Sequence, residues 1–109
     1  MNFKANLRGV YAYNYSAETS TLTNRRLIYV CDVHVSDGIK VAETGLIFTA
    51  AGSSIDVVDP SDGVLLGKIV TSNETMNNLV AIPGGEWWFT GQGGIWRARI
   101  ATQGTVNYG

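Results

Sequence analysis

Apolar and polar residues alternate along this chain in short stretches, and each stretch ends in turn chemistry before a helix could complete three turns. VYAYNY (Val10 to Tyr15) alternates as a half-buried strand does, setting Tyr11, Tyr13 and Tyr15 on one side and Val10, Ala12 and Asn14 on the other. SAETSTLTN reads as a polar loop, and RRLIYVCDV (Arg25 to Val33) has the β-branched and aromatic content of a second strand, so the two form a hairpin. Asp37-Gly38 marks a tight turn, IKVA a short strand, and Glu43-Thr44-Gly45 a further turn before LIFTA. Ala51-Gly52-Ser53-Ser54 leads into IDVVD. Pro60-Ser61-Asp62-Gly63 then turns the chain into VLLGKIVT, because Pro presets φ and Gly accepts positive φ.

After the polar connection TSNETMNN the pattern returns: NLVAIP, a Gly84-Gly85 turn, EWWFTG, a Gly93-Gly94 turn and IWRARI. Phe48-Thr49 and Phe89-Thr90 fall in matching places, giving a period of about 40 residues. Self-similarity of this length in a strand-and-turn sequence is the signature of β-propeller blades, whereas a sandwich predicts no such repeat. The expected fold is all-β: about two and a half four-stranded antiparallel blades. Residues 1–33 supply the last two strands of one blade, 34–72 a complete blade, and 73–109 most of a following one. A blade buries neither face alone, and rings usually close with about four to eight of them, so the propeller is incomplete as given. Its open strand edges favour self-association or pairing with another chain.

Composition narrows the function classes. At 109 residues the chain is one small domain, and 13 Gly against 2 Pro suit many short strands joined by Gly-rich turns. A formal net charge of −1 provides no basic field for nucleic acid. No apolar run approaches the roughly 18 residues that cross a bilayer. The single cysteine, Cys31, makes no internal disulfide. The first residues lack the apolar core and cleavage site of a signal peptide, which implies a cytoplasmic protein if Met1 is the true start.

Few residues carry chemistry. Asp37-Gly38 by itself reads as a turn whose carboxylate bonds nearby backbone N–H groups. Asp62-Gly63 sits between two strands and is structural. His34 lies three residues from Cys31, an odd spacing that sends the two to opposite faces of an extended chain, which argues against a Cys-His pair. With one Cys and one His, a structural zinc site of the usual four ligands fails on counting. Ser53-Ser54 lacks the nucleophile elbow of a serine hydrolase. Trp87, Trp88 and Trp96 are either a carbohydrate-stacking surface or, for one or two of them, inter-blade core, and Tyr11, Tyr13 and Tyr15 carry the same ambiguity. Arg97 and Arg99 share one strand face, expected to be solvated. Asn14-Tyr15-Ser16 and Asn73-Glu74-Thr75 are glycosylation sequons, which matter only in a secreted form.

Taken together, Asn24-Arg25-Arg26, Ser36-Asp37-Gly38-Ile39-Lys40-Val41, Gly45-Leu46-Ile47-Phe48, Asp56-Val57-Val58-Asp59-Pro60 with Leu66-Gly67-Lys68-Ile69, Asn78-Leu79 and Gly94-Ile95-Trp96-Arg97 form an ordered series. In order and spacing it resembles the C-terminal part of the gluconolactonase, regucalcin (senescence marker protein) and luciferin-regenerating-enzyme family, over nearly the whole chain. The resemblance implies a six-bladed propeller that hydrolyses sugar lactones or other cyclic esters at a divalent cation, Ca²⁺ or Zn²⁺ before Mg²⁺ or Mn²⁺. It makes Asp37 both metal ligand and catalytic general base, matching the aspartate of the family's P-D-G motif with Ser36 in place of the proline. The family's other ligands, a glutamate and an asparagine, would lie before Met1, so the cation site is incomplete in this chain and the chain is expected to be inactive alone. The implied partner of the longer form is a small-molecule lactone.

Overall fold

The computed structural model describes residues 7–32, 34–71 and 74–100, and all regular structure in them is β. Three antiparallel sheets form in chain order. The first is a hairpin of β1 (Gly9–Ser16) and β2 (Thr21–Val30). The second has β3 (Ser36–Val41), β4 (Ile47–Ala51), β5 (Ser54–Asp59) and β6 (Val64–Val70), each bonded to its sequence neighbour. The third has β7 (Met76–Ile82), β8 (Glu86–Gly91) and β9 (Gly94–Arg99). The all-β reading of the sequence is what forms.

The hairpin departs from its expected outline. Thr21 to Asn24, read as loop, belong to β2, because Ser16, Tyr15 and Asn14 pair with Thr21, Leu22 and Thr23. Backbone pairing outweighs the polarity of the side chains here, since a solvated strand face tolerates Thr and Asn. At the other end β2 stops at Val30, and Cys31 leaves the ladder; Val33 lies outside the described residues. Register shifts between Val10 and Tyr11 and between Ala12 and Asn14 break the simple alternation. Tyr13 and Tyr15 are exposed while Tyr11 is half-buried under the Arg25 guanidinium, 5.0 Å from its ring centre. Arg26 holds the irregular segment by donating to Asn14 Oδ1 (3.0 Å) and to the Asn24 carbonyl (2.6 Å).

The Asp62-Gly63 turn forms as read. Asp62 Oδ1 accepts the Val64 N–H at 3.1 Å, and Gly63 takes a φ of 74°, where a side chain would be strained.

The middle sheet lies between the other two, and every residue of β4 is buried. One face, with Ile47, Ala51 and Val58, packs on Val10, Tyr29 and Cys31. The opposite face, with Phe48, Ala50 and Ile55, packs on Met76, Leu79, Trp87 and Phe89. Phe48 and Trp87 stack with ring centres 4.2 Å apart. Of the three tryptophans, Trp87 is therefore core, Trp96 is half-buried against that core, and Trp88 is exposed. The leading strands β3 and β7 of successive sheets touch, so the sheets converge on that side.

Candidate functional site

Asp37 sits where β3 is irregular. Ser36 pairs with Ala51 and Ile39 with Thr49, so Asp37 and Gly38 together face the single residue Ala50. The Asp-Gly expected to make a tight turn instead makes a bulge inside a strand. A bulge re-aims the neighbouring side chain, here an exposed one. Thr49, fully buried on β4, ties both flanks of the bulge: its hydroxyl donates to the Gly38 carbonyl (3.2 Å) and is hydrogen-bonded to Ser36 Oγ. Ser36 thus supplies a hydrogen bond to the bulge that a proline could not. On its far side Gly38 rests on β7. A Cβ built there would come within 2.7 Å of the Asn78 Cα and collide with the Asn78 amide oxygen, so only glycine fits.

Asp37 opens on a cavity of about 170 Å³ that it shares with His34, Val35, Gly52, Thr75 and Met76. Gly52, in the turn between β4 and β5, accepts the Met76 N–H at 2.7 Å and so links the middle sheet to the start of β7. The His34 imidazole lies against Gly52: a Cβ there would meet His34 Cδ2 and stand 3.2 Å from Cγ. His34 is exposed and Cys31 is buried. Chemically, an exposed carboxylate at a cavity mouth can accept a proton from water or ligate a cation. Among the described residues no three of His, Cys, Asp and Glu gather to hold a metal ion, so Asp37 does not complete a cation site with them.

A second polar cluster went unread in the sequence. Asp56 on β5 is fully buried, accepting from Tyr29 Oη (2.7 Å) and Ser54 Oγ (2.8 Å). Lys68 Nζ lies 3.4 Å from Asp56 Oδ1 and 2.9 Å from Asp32 Oδ1. Burial, then the hydrogen bond to Asp56, pushes the Tyr29 phenol well above its ordinary value, and burial followed by the Asp56 and Asp32 charges pushes the Cys31 thiol up. Lys68 holds Asp32 below the usual carboxylate range and is itself raised, chiefly by that hydrogen bond. The signal was present in IDVVD: strict alternation puts Asp56 on the same face as Val58, a charged residue in a core position.

Arg97 and Arg99 share the outer face of the third sheet, Arg97 facing Glu86 at 3.5 Å and Arg99 donating to the Gly84 carbonyl at 3.1 Å. The Asn14 sequon lies on β1 with its side chain engaged by Arg26, and Asn73 lies outside the described residues.

No protein-family model matches the chain. It is 40% identical over 103 residues to lactonohydrolase oryH of Aspergillus oryzae, a match covering 91% of this chain and 21% of that protein. It is 31% identical to lactonohydrolase oryL of the same organism, covering 90% and 22%. The chain thus spans about a fifth of the length of these curated relatives. Among solved structures it is similar to the gluconolactonase XC5397 of Xanthomonas campestris, with a TM-score of 0.67 and 27% identity over 82% of this chain and 28% of that one. A luciferin-regenerating enzyme shares the fold, with a TM-score of 0.72 and 21% identity over 93% and 36%.

Proposed function

We propose, from the premise that this chain is kin to the gluconolactonase, regucalcin and luciferin-regenerating-enzyme family, that it forms part of a hydrolase of cyclic esters. In this reading the three sheets are consecutive blades of a larger propeller, and the leading strands β3 and β7 line its axis. Exposed Tyr13, Tyr15, Leu22 and Leu27 at one end and Val80, Trp88 and Ile95 at the other are the faces that further blades cover.

The observation that carries the reading is the placement of Asp37: an exposed carboxylate on a leading strand, held in a bulge by buried Thr49 and opening on a cavity. Asp37 takes the proton of the water that attacks the lactone carbonyl, and it is the ligand this chain contributes to a divalent cation, Ca²⁺ or Zn²⁺. The cation, when bound, polarises that carbonyl. The described residues hold too few such ligands to complete a cation site by themselves, and in this reading the remaining ligands, and with them the activity, belong to the longer protein.

The test compares wild type with Asp37→Ala in the protein that carries this segment, following lactone opening by acid release. The expected result is loss of activity with an unchanged melting temperature, since the carboxylate is exposed. Retained lactonase activity removes Asp37 from the mechanism. A second reading, association of this segment through its uncovered faces, rests on the same exposed side chains. It predicts concentration-dependent oligomers of the isolated chain, and a monomer by sedimentation at both low and high concentration excludes it.

A further inference from the structure

His34 contributes to the walls of two compartments. On one side is the cavity of about 170 Å³ that contains Asp37. On the other is a cavity of about 160 Å³ lined by Ala51, Ser53, Ser54, Lys68 and Val70, with His34 again in its wall. Ala51, Gly52 and Ser53 are consecutive, so the two spaces flank one turn, and the ring seated on Gly52 is the side chain that both walls share. Pockets that enclose drug-sized ligands run from about 300 to 1,000 Å³. Each compartment alone is smaller than that.

We infer that His34 is a specificity-determining partition: it walls the Asp37 cavity off from a second, polar compartment, so that a lactone seated at Asp37 cannot extend a substituent into that compartment. The inference rests on the reading of Asp37 as the lactone-opening residue. The character of the second compartment follows from its lining. Ser53 supplies a half-buried hydroxyl-bearing residue to the wall, the Ser54 hydroxyl is taken by Asp56, and the positive charge of Lys68 is matched by Asp32 and Asp56. It therefore suits a hydroxylated, uncharged substituent, and it gives an anionic substituent no free charge to pair with. His34 is held by packing on Gly52, and its task is to fill space, which an apolar ring of similar size performs equally well.

The test uses the protein that carries this segment and two probes, a six-carbon sugar δ-lactone and a disaccharide aldonolactone whose second sugar is the substituent. His34→Ala is expected to raise kcat/KM for the disaccharide lactone, relative to the monosaccharide lactone, by roughly tenfold, the scale on which pocket shape discriminates substrates. His34→Phe keeps the wall and is expected to keep the wild-type ratio. A ratio that His34→Ala leaves within about twofold of wild type overturns the partition, as does a His34→Phe enzyme that behaves like His34→Ala. Asp37→Asn separates the two readings. If it abolishes opening of both probes while the His34 ratio stays flat, only the partition fails; if it stays active, or if wild type opens neither lactone, the reading of the site falls and the partition with it.

Discussion

The two interfaces of the middle sheet are built from different chemistry. Toward the third sheet it presents Phe48, Ala50 and Ile55 to Trp87, Phe89, Leu79 and Met76, an apolar layer centred on the Phe48–Trp87 stack. Toward the hairpin it presents smaller apolar groups, Ile47, Ala51 and Val58, around a buried carboxylate that receives hydroxyl protons from Tyr29 and Ser54. The first interface gains from area and close packing, which tolerate some sliding of one sheet on the other. The second gains from directional bonds that hold only at one relative placement, and leaving any of them unmade is costly. The polar interface therefore defines how the hairpin sits, while the apolar one supplies more of the burial.

Substitutions can break this contrast in order of size. Trp87→Ala removes the largest fully buried side chain and leaves a cavity against Phe48. It is expected to lower unfolding free energy by about 3–5 kcal/mol, read from the midpoint of chemical denaturation. Asp56→Ala strands the Tyr29 hydroxyl in a buried site, leaves the Ser54 hydroxyl with the Ala51 carbonyl only and leaves Lys68 with Asp32 alone. The expected loss is about 3 kcal/mol. If Asp56→Ala costs nothing measurable, the hairpin interface is held by apolar area like its counterpart and the contrast is wrong.

Tyr29→Phe is the smallest of the three, about 2 kcal/mol for one hydrogen bond to a charged acceptor, and it sharpens the contrast through pH. The folded-state value of Tyr29 is raised above the unfolded one, near 10, so the folded protein keeps a proton that the unfolded chain gives up. Its stabilising contribution is complete below about pH 10 and is lost as pH climbs from there toward the folded value. Wild type is thus expected to lose stability in this alkaline range, with raised Cys31 adding to the fall from about pH 8.5 upward. Tyr29→Phe should flatten the Tyr29 part of that limb. Equal slopes for wild type and variant, measured as melting temperature against pH, would show that the phenol is not held by Asp56. Among the described residues the apolar interface buries no titratable group and contributes no such limb.

How much of this was legible in the sequence varies by feature. Turn residues announced themselves, as Asp62-Gly63 shows, because a short hairpin turn is decided by its own few side chains. The Asp37-Gly38 dipeptide looked the same and did something else, since a bulge depends on which residues the partner strand places opposite it. Thr21 to Asn24 looked like loop and became strand because Asn14 to Ser16 were available to pair. Asp37 was legible as a candidate only through the resemblance carried by the surrounding motifs. Thr49, which holds its bulge, was visible only as half of a repeated Phe-Thr.

By itself the sequence determined the all-β class, the period of about 40 residues, the placement of most turns and the kinship of the chain, because local alternation, Gly chemistry and motif order are written in consecutive residues. Tertiary structure alone decided that Asp56 meets Tyr29 across a distance of 27 residues, that Thr49 bonds to Ser36 and Gly38 on either side of Asp37, and that His34 comes to rest on Gly52 in the walls of two cavities. The first contact joins two sheets and exists only once stacking has fixed which faces meet, while the other two depend on how β3 and the turn before β5 come together within the middle sheet.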